Sequence, residues 1–502
     1  MSAYFRPPNL ALTSLALALA TFMQVLDTTI ANVSLPTISG NLAVSVNQGT
    51  WVVTSFTVSQ AIGLALTGFL VRRFGEIKVF VWSTLLFALM SLACGLSFTM
   101  PMLVFFRVLQ GAMCGPMYPV AQSLIISVYR PEQRGMSLAI ISMVTVVAPI
   151  VGPILGGWIT DNFAWGWIFF INVPIGIFCS AMIHFQLRAK PETTRRSRMD
   201  YMGLATLVVG VGLLQIVLDM GEDADWFDST FITVSSIISV IAIVVFVIWE
   251  LTDDDPIVDL RLFRHRNFTV GTLGLIFAFA VFFAIGLLIP VWLQTLIHYT
   301  ATWAGLATAP IGFIPVLTTY FVGKYAPRMD LRMLATVAFL TMSGVCYTYS
   351  TFPIDVDFYH IALVQFTLGL GIACFFMPVL TILVSDLNVD EIAAGSGVAT
   401  FLRMLGASFA ASLTTFLWHR RSDFHHARLS EQITPYNPQA GDILTDLGHG
   451  DPGSLALVNN LISDQASQMA INEVFFALTW IVLALIPLIW LARPPFIQGG
   501  RR

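Results

Sequence analysis

Apolar residues run through this chain in long blocks and not in alternation. Ile232 to Trp249 and Val474 to Leu491 are nearly unbroken examples. A block of about 20 apolar residues crosses the ~30 Å hydrocarbon core of a bilayer as a helix, whereas membrane strands are shorter and alternate. A window of about 19 residues predicts fourteen helices, near residues 11–33, 48–70, 79–99, 102–128, 136–160, 167–187, 200–219, 230–250, 268–290, 302–322, 333–350, 359–384, 395–419 and 472–492. The pattern predicts an all-α integral membrane protein.

Composition agrees, because 56% of the 502 residues are apolar and 11% are charged, where a soluble domain averages about 25% charged. Arg6 followed by an apolar stretch with Ala18-Leu19-Ala20 resembles a secretory signal. That apolar pattern continues to Val33, so the segment reads as the first span. A net charge of −4 with sparse basic residues leaves no footprint for nucleic acid. Cys94, Cys114, Cys179, Cys346 and Cys374 lie singly in apolar runs, so neither a disulfide framework nor a metal site is expected. HExxH, GxSxG and phosphate-loop patterns are absent, which argues against a membrane-embedded enzyme.

Charge gives the orientation, since Lys and Arg collect in cytoplasmic loops. With the N-terminus inside, twenty of the 25 basic residues fall on the cytoplasmic side and both termini are cytoplasmic. Arg420, Arg421 and Arg428 lie in one long outer connection, 420–471, where Leu455, Leu457, Val458, Leu461 and Ile462 suggest a short amphipathic helix able to dock a partner. His419, His425 and His426 are close there, without the spacing of metal ligands.

Arg107 and Arg403 remain inside spans, together with Asp27. A carboxylate in a span costs about 2.5 to 3.5 kcal/mol on insertion scales, so it faces a cavity or a partner. Thr21, Gln24, Asp27, Thr28, Ala31 and Asn32 wind onto one arc of about 140°. That arc is polar or small, as a cavity wall would be. By helical rise, Asp27 and Arg107 both lie roughly 8 to 9 Å below the outer boundary. They are expected to meet, with Arg107 tuning the charge of Asp27. Arg107, Gln110, Gly111 and Cys114 share one face. Arg403 falls near mid-membrane in the thirteenth span, where it could meet an anionic substrate or cap unwound carbonyls in the second bundle; with no acidic partner evident in the second half's spans, a cavity role is favoured. Asp219 and Glu473 fall at outer span ends and read as interfacial. Phe277, Phe279, Phe282, Phe283 and Trp292 could line an apolar pocket.

Residues 105–119 (FFRVLQGAMCGPMYP) and 364–378 (VQFTLGLGIACFFMP) read as two versions of one helix, with Gln365 and Gly369 in the second where Arg107 and Gly111 stand in the first. Such self-similarity between halves is typical of transporters.

Four segments then resemble motifs of the major facilitator superfamily, and of its fourteen-span drug:proton antiporter branch in particular. They are LDTTIANVSLP at 26–36, GFLVRRFGEIK at 68–78, RVLQG at 107–111 and APIVGPILGG at 148–157. WGWIFFINVPIG at 165–176 and RPPF at 493–496 are similar to the EmrB type.

The resemblance implies the major facilitator fold: a six-helix bundle at 1–187, two inserted helices at 188–267, and a second six-helix bundle at 268–502 that includes the periplasmic loop 420–471. It implies a proton-coupled exporter of amphipathic compounds in the bacterial inner membrane, driven by the proton gradient without a cofactor, and joined to a periplasmic adaptor of the EmrA type and a TolC-type outer-membrane channel. Asp27 and Arg107 would couple protons. Gln24, Thr28, Gln110, Gly111, Cys114, Gln365 and Arg403 would line the substrate cavity. Pro149, Gly152, Pro153, Gly156 and Gly157 would form the antiporter-motif helix between the halves, and Gly68, Arg73, Gly75 and Lys78 the cytoplasmic gate loop. Arg72 departs from the family pattern, which has an acid there, so the usual latch to a helix N-terminus is not available. A uniporter or importer of a small solute on the same fold is the competing reading, and it would not require Asp27 to titrate.

Overall fold

The computed structural model describes the chain except residues 1–8, 45–48, 50, 130–140, 142–143, 145–146, 149–150, 153–154, 161, 189–193, 195–199, 222–223, 254–255, 300, 316, 319–328, 389–390, 432, 434–451 and 497–502. The described residues form helices and no strands. Lipid offers no hydrogen bonds, so each apolar block closes its own backbone ladder.

In chain order the helices are α1 (Leu10–Asn41), α2 (Trp51–Ala65), α3 (Thr67–Phe74), α4 (Glu76–Gly95), α5 (Met100–Cys114), α6 (Met117–Val128), α7 (Trp167–Phe170), α8 (Asn172–Leu187), α9 (Tyr201–Met220), α10 (Thr230–Thr252), α11 (Arg266–Thr295), α12 (Ala301–Thr308), α13 (Leu331–Tyr349), α14 (Phe358–Ala373), α15 (Phe376–Val384), α16 (Ile392–Ser430) and α17 (Pro452–Ile489). Taking α7 with α8 and α14 with α15, ten are long and apolar enough to cross a membrane, and the pair α2–α3, bent by 52°, makes eleven. The fourth expected span is divided between α5 and α6, while the fifth and tenth run partly through residues outside the description.

The two related segments break at the same place. Helix α5 ends at Cys114 and α14 at Ala373, and helix resumes at Met117 and Phe376. Their glycines pack alike as well. A methyl group on Gly111 would overlap the Phe56 carbonyl of α2, and one on Gly369 would stand 2.6 Å from the Ile311 carbonyl of the tenth span. In each half the fourth helix therefore rests on the second through a glycine, backbone against backbone.

Helices α9 and α10 pack on each other, with Ser239 Oγ donating to the Gly210 carbonyl at 2.7 Å. Helix α10 turns most of its residues outward to lipid. Helix α9 bridges the two ends of the chain. Its Gln215 Nε2 donates to Ser408 Oγ of α16 at 2.6 Å, Ser412 Oγ donates to the Leu218 carbonyl, and Asp219 accepts from Thr54 of α2.

The connection 420–471 differs from expectation. It is no loop around a separate short helix, because α16 continues to Ser430 and α17 starts at Pro452. At 39 and 38 residues these helices are about 57 Å long, against a hydrocarbon core of about 30 Å. Polar pairs prolong them beyond the apolar blocks. Arg421 Nε and Nη2 reach Glu473 at 2.5 and 2.9 Å, His425 Nε2 lies 3.1 Å from the same carboxylate, and Trp418 Nε1 donates to Ser467 Oγ at 3.0 Å. Hydropathy marks where lipid ends, not where a helix ends.

Gly111→Val is expected to separate α5 from α2 and to destabilise the fold by about 1–3 kcal/mol, whereas Gly344→Ala, whose Cβ meets nothing within 4 Å, should leave stability near that of the parent. Thermal unfolding midpoints in detergent check both.

Candidate functional site

The chemistry concentrates where α1, α2, α4, α5 and α8 meet. Asp27 of α1 is 2% exposed, and Arg107 of α5 is fully buried. Arg107 Nη1 donates to Asp27 Oδ2 at 2.7 Å. Gln110 Nε2, one turn along α5, donates to Asp27 Oδ1 at 3.1 Å, and Asn172 Nδ2 of α8 donates to the same oxygen at 2.6 Å. The carboxylate therefore meets a cation and two amides.

Arg107 is held in turn. Its Nε donates to the Val52 carbonyl of α2 at 3.0 Å, its Nη1 also donates to Gln110 Oε1 at 3.0 Å, and its guanidinium lies 4.0 Å from the centre of the Phe56 ring. Gly111 makes this possible, since the close approach of α5 to α2 brings the Val52 carbonyl within reach. Behind Asn172, Nδ2 donates to Ser91 Oγ at 3.0 Å, and Ser91 Oγ donates at 2.8 Å to the Phe169 carbonyl, at the step between α7 and α8. A buried pair costs desolvation that only good geometry and further hydrogen bonds recover. Here Arg107, Gln110 and Asn172 supply them.

A second charged residue lies at the meeting of N-terminal and C-terminal helices. Arg403 of α16 is 5% exposed, with its guanidinium 4.5 Å from the Phe279 ring of α11 and 5.2 Å from the Tyr118 ring of α6. It also bonds to the Tyr118 hydroxyl, while Nε and Nη1 have no hydrogen-bond partner among the described residues. Phe279 packs against Phe282, Phe283 and Phe376, whereas Phe277 is exposed and Trp292 is bound to Gln468 Oε1 at 2.7 Å.

On the face that carries Arg72, Lys78 and Arg332, α2 and α3 touch α16 directly. A Cβ on Gly68 would stand 2.9 Å from Ala394 Cβ, and one on Gly397 would stand 3.1 Å from Thr67 Cβ and 3.2 Å from the Leu64 carbonyl. Gly75 supplies the turn between α3 and α4 with φ 89°, a value side chains resist. Arg73 lies over the Phe69 and Phe74 rings, Lys78 is exposed, and Arg72 Nη2 donates at 2.7 Å to the Pro256 carbonyl after α10.

The structure thus joins Asp27, Arg107 and Gln110, and sets Arg403 apart from them. Gly111 and Cys114 face α2, where Gln60 Nε2 donates to Cys114 Sγ at 3.4 Å. Gln24 and Gln365 are buried with their Oε1 atoms unpartnered among the described residues, and Thr28 is half-buried. Gly152 and Gly156 pack on Thr29 and Ile30 of α1, a methyl on Gly157 would meet nothing within 4 Å, and Pro149 and Pro153 lie outside the described residues. Glu473 pairs with Arg421 and His425, and His426 with Asn459. Asn172, Ser91 and the Val52 carbonyl were not anticipated from sequence. An Asn within the apolar run WIFFINVPIG was the available signal for the first; a serine and a carbonyl give none.

The architecture and the buried charges define a multi-pass membrane transporter. The Major Facilitator Superfamily pattern matches residues 17–411, and the chain belongs to that family. It is 48% identical over 497 residues to Multidrug export protein EmrB of Escherichia coli (strain K12), covering 98% of this chain and 97% of that protein. Fatty acid resistance protein FarB of Neisseria gonorrhoeae is 43% identical over 494 residues, with 98% and 97% covered. Among solved structures, the proton:xylose symporter XylE shares the fold at a TM-score of 0.63 and 14% identity, covering 96% of this chain and 95% of that one.

Arg107→Gln should leave the Asp27 charge buried without its cation and cost about 3–5 kcal/mol. The double variant Asp27→Asn with Arg107→Gln should lose less than the sum of the single variants, which a double-mutant cycle on unfolding midpoints measures.

Proposed function

We propose that this protein is a proton-driven multidrug exporter of the bacterial inner membrane, moving amphipathic compounds outward by alternating access. The carrying observation is the buried Asp27–Arg107 pair, with 2.7 Å between Nη1 and Oδ2, because a carboxylate and a cation in a dry bundle form a site that gains or loses a proton only when the pair rearranges. Its placement on α1, the helix that Gly152 and Gly156 pack against, links that proton to the antiporter-motif helix. The similarity to multidrug export proteins supports the substrate class.

In this reading residues 1–187 and 268–502 are two bundles that rock about a central cleft, and the inserted helices of 188–267 brace them through α9. Both termini and the Arg72–Lys78 loop are cytoplasmic. The contacts of Gly68 and Gly397 then close the cleft on the cytoplasmic side, so the conformer opens outward. Protonation of Asp27 from the periplasm releases Arg107 and favours the inward-open form, and substrate bound in that form returns the carrier as the proton leaves to the cytoplasm. Arg403, buried between Tyr118 and Phe279 with donors to spare, meets the polar end of the substrate, while Thr28, Gln24 and Gln365 lie on the same cleft. A periplasmic adaptor of the EmrA type and a TolC-type channel would receive the substrate, and the projecting ends of α16 and α17 are the proposed contact.

Inverted vesicles energised to a pH gradient test the coupling. Exported drugs should discharge the gradient in the parent and fail to do so with Asp27→Asn; equal discharge by the variant would reject proton exchange through Asp27. Arg403→Gln should raise the drug concentration needed for half-maximal discharge by roughly tenfold, the worth of one charge-assisted hydrogen bond, and should do so more for drugs with an anionic group than for cations.

A further inference from the structure

The two oxygens of Asp27 are not equivalent. Oδ1 accepts from Asn172 Nδ2 at 2.6 Å and Gln110 Nε2 at 3.1 Å, and Oδ2 accepts from Arg107 Nη1 at 2.7 Å. We propose that Asn172 is a positioning residue that confines the proton of Asp27 to Oδ2, the oxygen that meets Arg107, so that proton loading acts directly on the Arg107 pair. This rests on the reading of Asp27 as the proton-carrying group.

An amide NH2 group donates and cannot accept. With Asn172 and Gln110 both donating to Oδ1, that oxygen has its lone pairs engaged. The neutral carboxyl keeps both bonds when Oδ1 is its carbonyl oxygen and Oδ2 its hydroxyl. The hydroxyl oxygen at Oδ2 keeps a lone pair but no longer carries negative charge, so what it offers Arg107 Nη1 falls from a charge-assisted hydrogen bond to an ordinary one. As the proton arrives from water, an O–H bond forms at Oδ2 and the Nη1 hydrogen bond to Oδ2 weakens. Arg107 keeps its proton, so the pair passes from neutral to a single positive charge, and the reverse step returns the proton to water. Were the amides arranged on both oxygens, either could be protonated, and the Arg107 bond would not be weakened each time.

The direction in which Asn172 points is set by its neighbours. Its Nδ2 also donates to Ser91 Oγ at 3.0 Å, and the Ser91 hydroxyl is committed to the Phe169 carbonyl at 2.8 Å. A flipped amide would present its oxygen to both the carboxylate and a hydroxyl with no hydrogen left to give. As that bond weakens, Arg107 still has the Val52 carbonyl and Gln110 Oε1. The Asn172 Oδ1 atom is buried and unpartnered among the described residues, as is Arg107 Nη2. The other titratable groups facing Asp27 are the thiols of Cys94 on α4 and Cys114 on α5. Helix α2 offers the Val52 carbonyl and the Phe56 ring, α8 offers Asn172, and the fifth span sets Gly152 and Gly156 against the next residues of α1. No further acid or base from these elements lies against the carboxyl among the described residues.

Infrared difference spectra of the full-length protein in lipid, taken between acid and alkaline steps, test this without any substrate. The carbonyl stretch of the protonated carboxyl is assigned to Asp27 by its loss in Asp27→Asn. Removing the amide in Asn172→Ala takes a hydrogen bond from the ionised form and from the carbonyl oxygen. The titration midpoint should therefore rise by about one pH unit, tenfold in proton affinity, and the band should move to higher frequency. Ser91→Ala, a milder change that only frees Asn172 to turn, should move both readouts in the same direction by less, and it decides the matter if Asn172→Ala does not fold. A band that titrates with midpoint and frequency unchanged in the variants overturns this inference alone. The absence of any Asp27 band overturns the proton reading and this inference with it.

Discussion

A carboxylate and a guanidinium held at 2.7 Å with both side chains fully buried constrain every helix they touch. Two charges leave water at a cost of several kcal/mol each, and their attraction offsets it only when the remaining donors and acceptors are also met. Meeting them takes a backbone carbonyl from α2, a hydroxyl and its carbonyl from α4 and α7, and amides from α5 and α8. The pair can form only if six helices, α1, α2, α4, α5, α7 and α8, are correctly placed. The chain thus carries among its N-terminal helices a buried polar centre that pairs a carboxylate with a guanidinium.

Small residues set the distances that the pair requires. Gly111 lets α5 approach the backbone of α2, and Gly152 and Gly156 let the fifth span lie on α1 beside Asp27. A change at the carboxyl is therefore next to the helix contacts that would have to slide during a rocking motion. The second bundle repeats the glycine contact at Gly369 and the helix break at Cys374, but has a buried amide at Gln365 where the first has a cation. Its own cation, Arg403, is placed on a different helix and faces rings from both bundles. Asp27 and Arg107 compensate each other, whereas Arg403 has no carboxylate against it among the described residues.

Arg72 is held by the segment that follows α10. Arg72 donates to the Pro256 carbonyl, and that segment is fastened by the Glu250 carboxylate, which accepts from the Val258 amide at 3.1 Å. The loop between α3 and α4 is thus tied to the segment that follows α10. Helix α9 does the same at the opposite end through Gln215 and Ser412.

Sequence alone determined the membrane class, because nothing but lipid accommodates so many apolar blocks with so little charge. It also picked out Asp27, Arg107 and Arg403, since a charge inside a span is costly enough to be informative wherever it occurs. Helical rise placed Asp27 and Arg107 at one depth, and the structure has them in contact. Tertiary structure decided the rest. Gly111 and Cys114 share a helical face with Arg107, yet that face rests on α2, because periodicity gives an angle around one axis and not what lies opposite. Ser91 and Asn172 became part of the site only through helices that converge from distant positions in the chain, and a hydroxyl in an apolar run looks the same whether or not a carboxylate is near. The extensions of α16 and α17 beyond their apolar blocks escaped a hydropathy reading for the converse reason: they are joined by polar contacts between two helices, such as Arg421 with Glu473, that no single stretch of sequence contains.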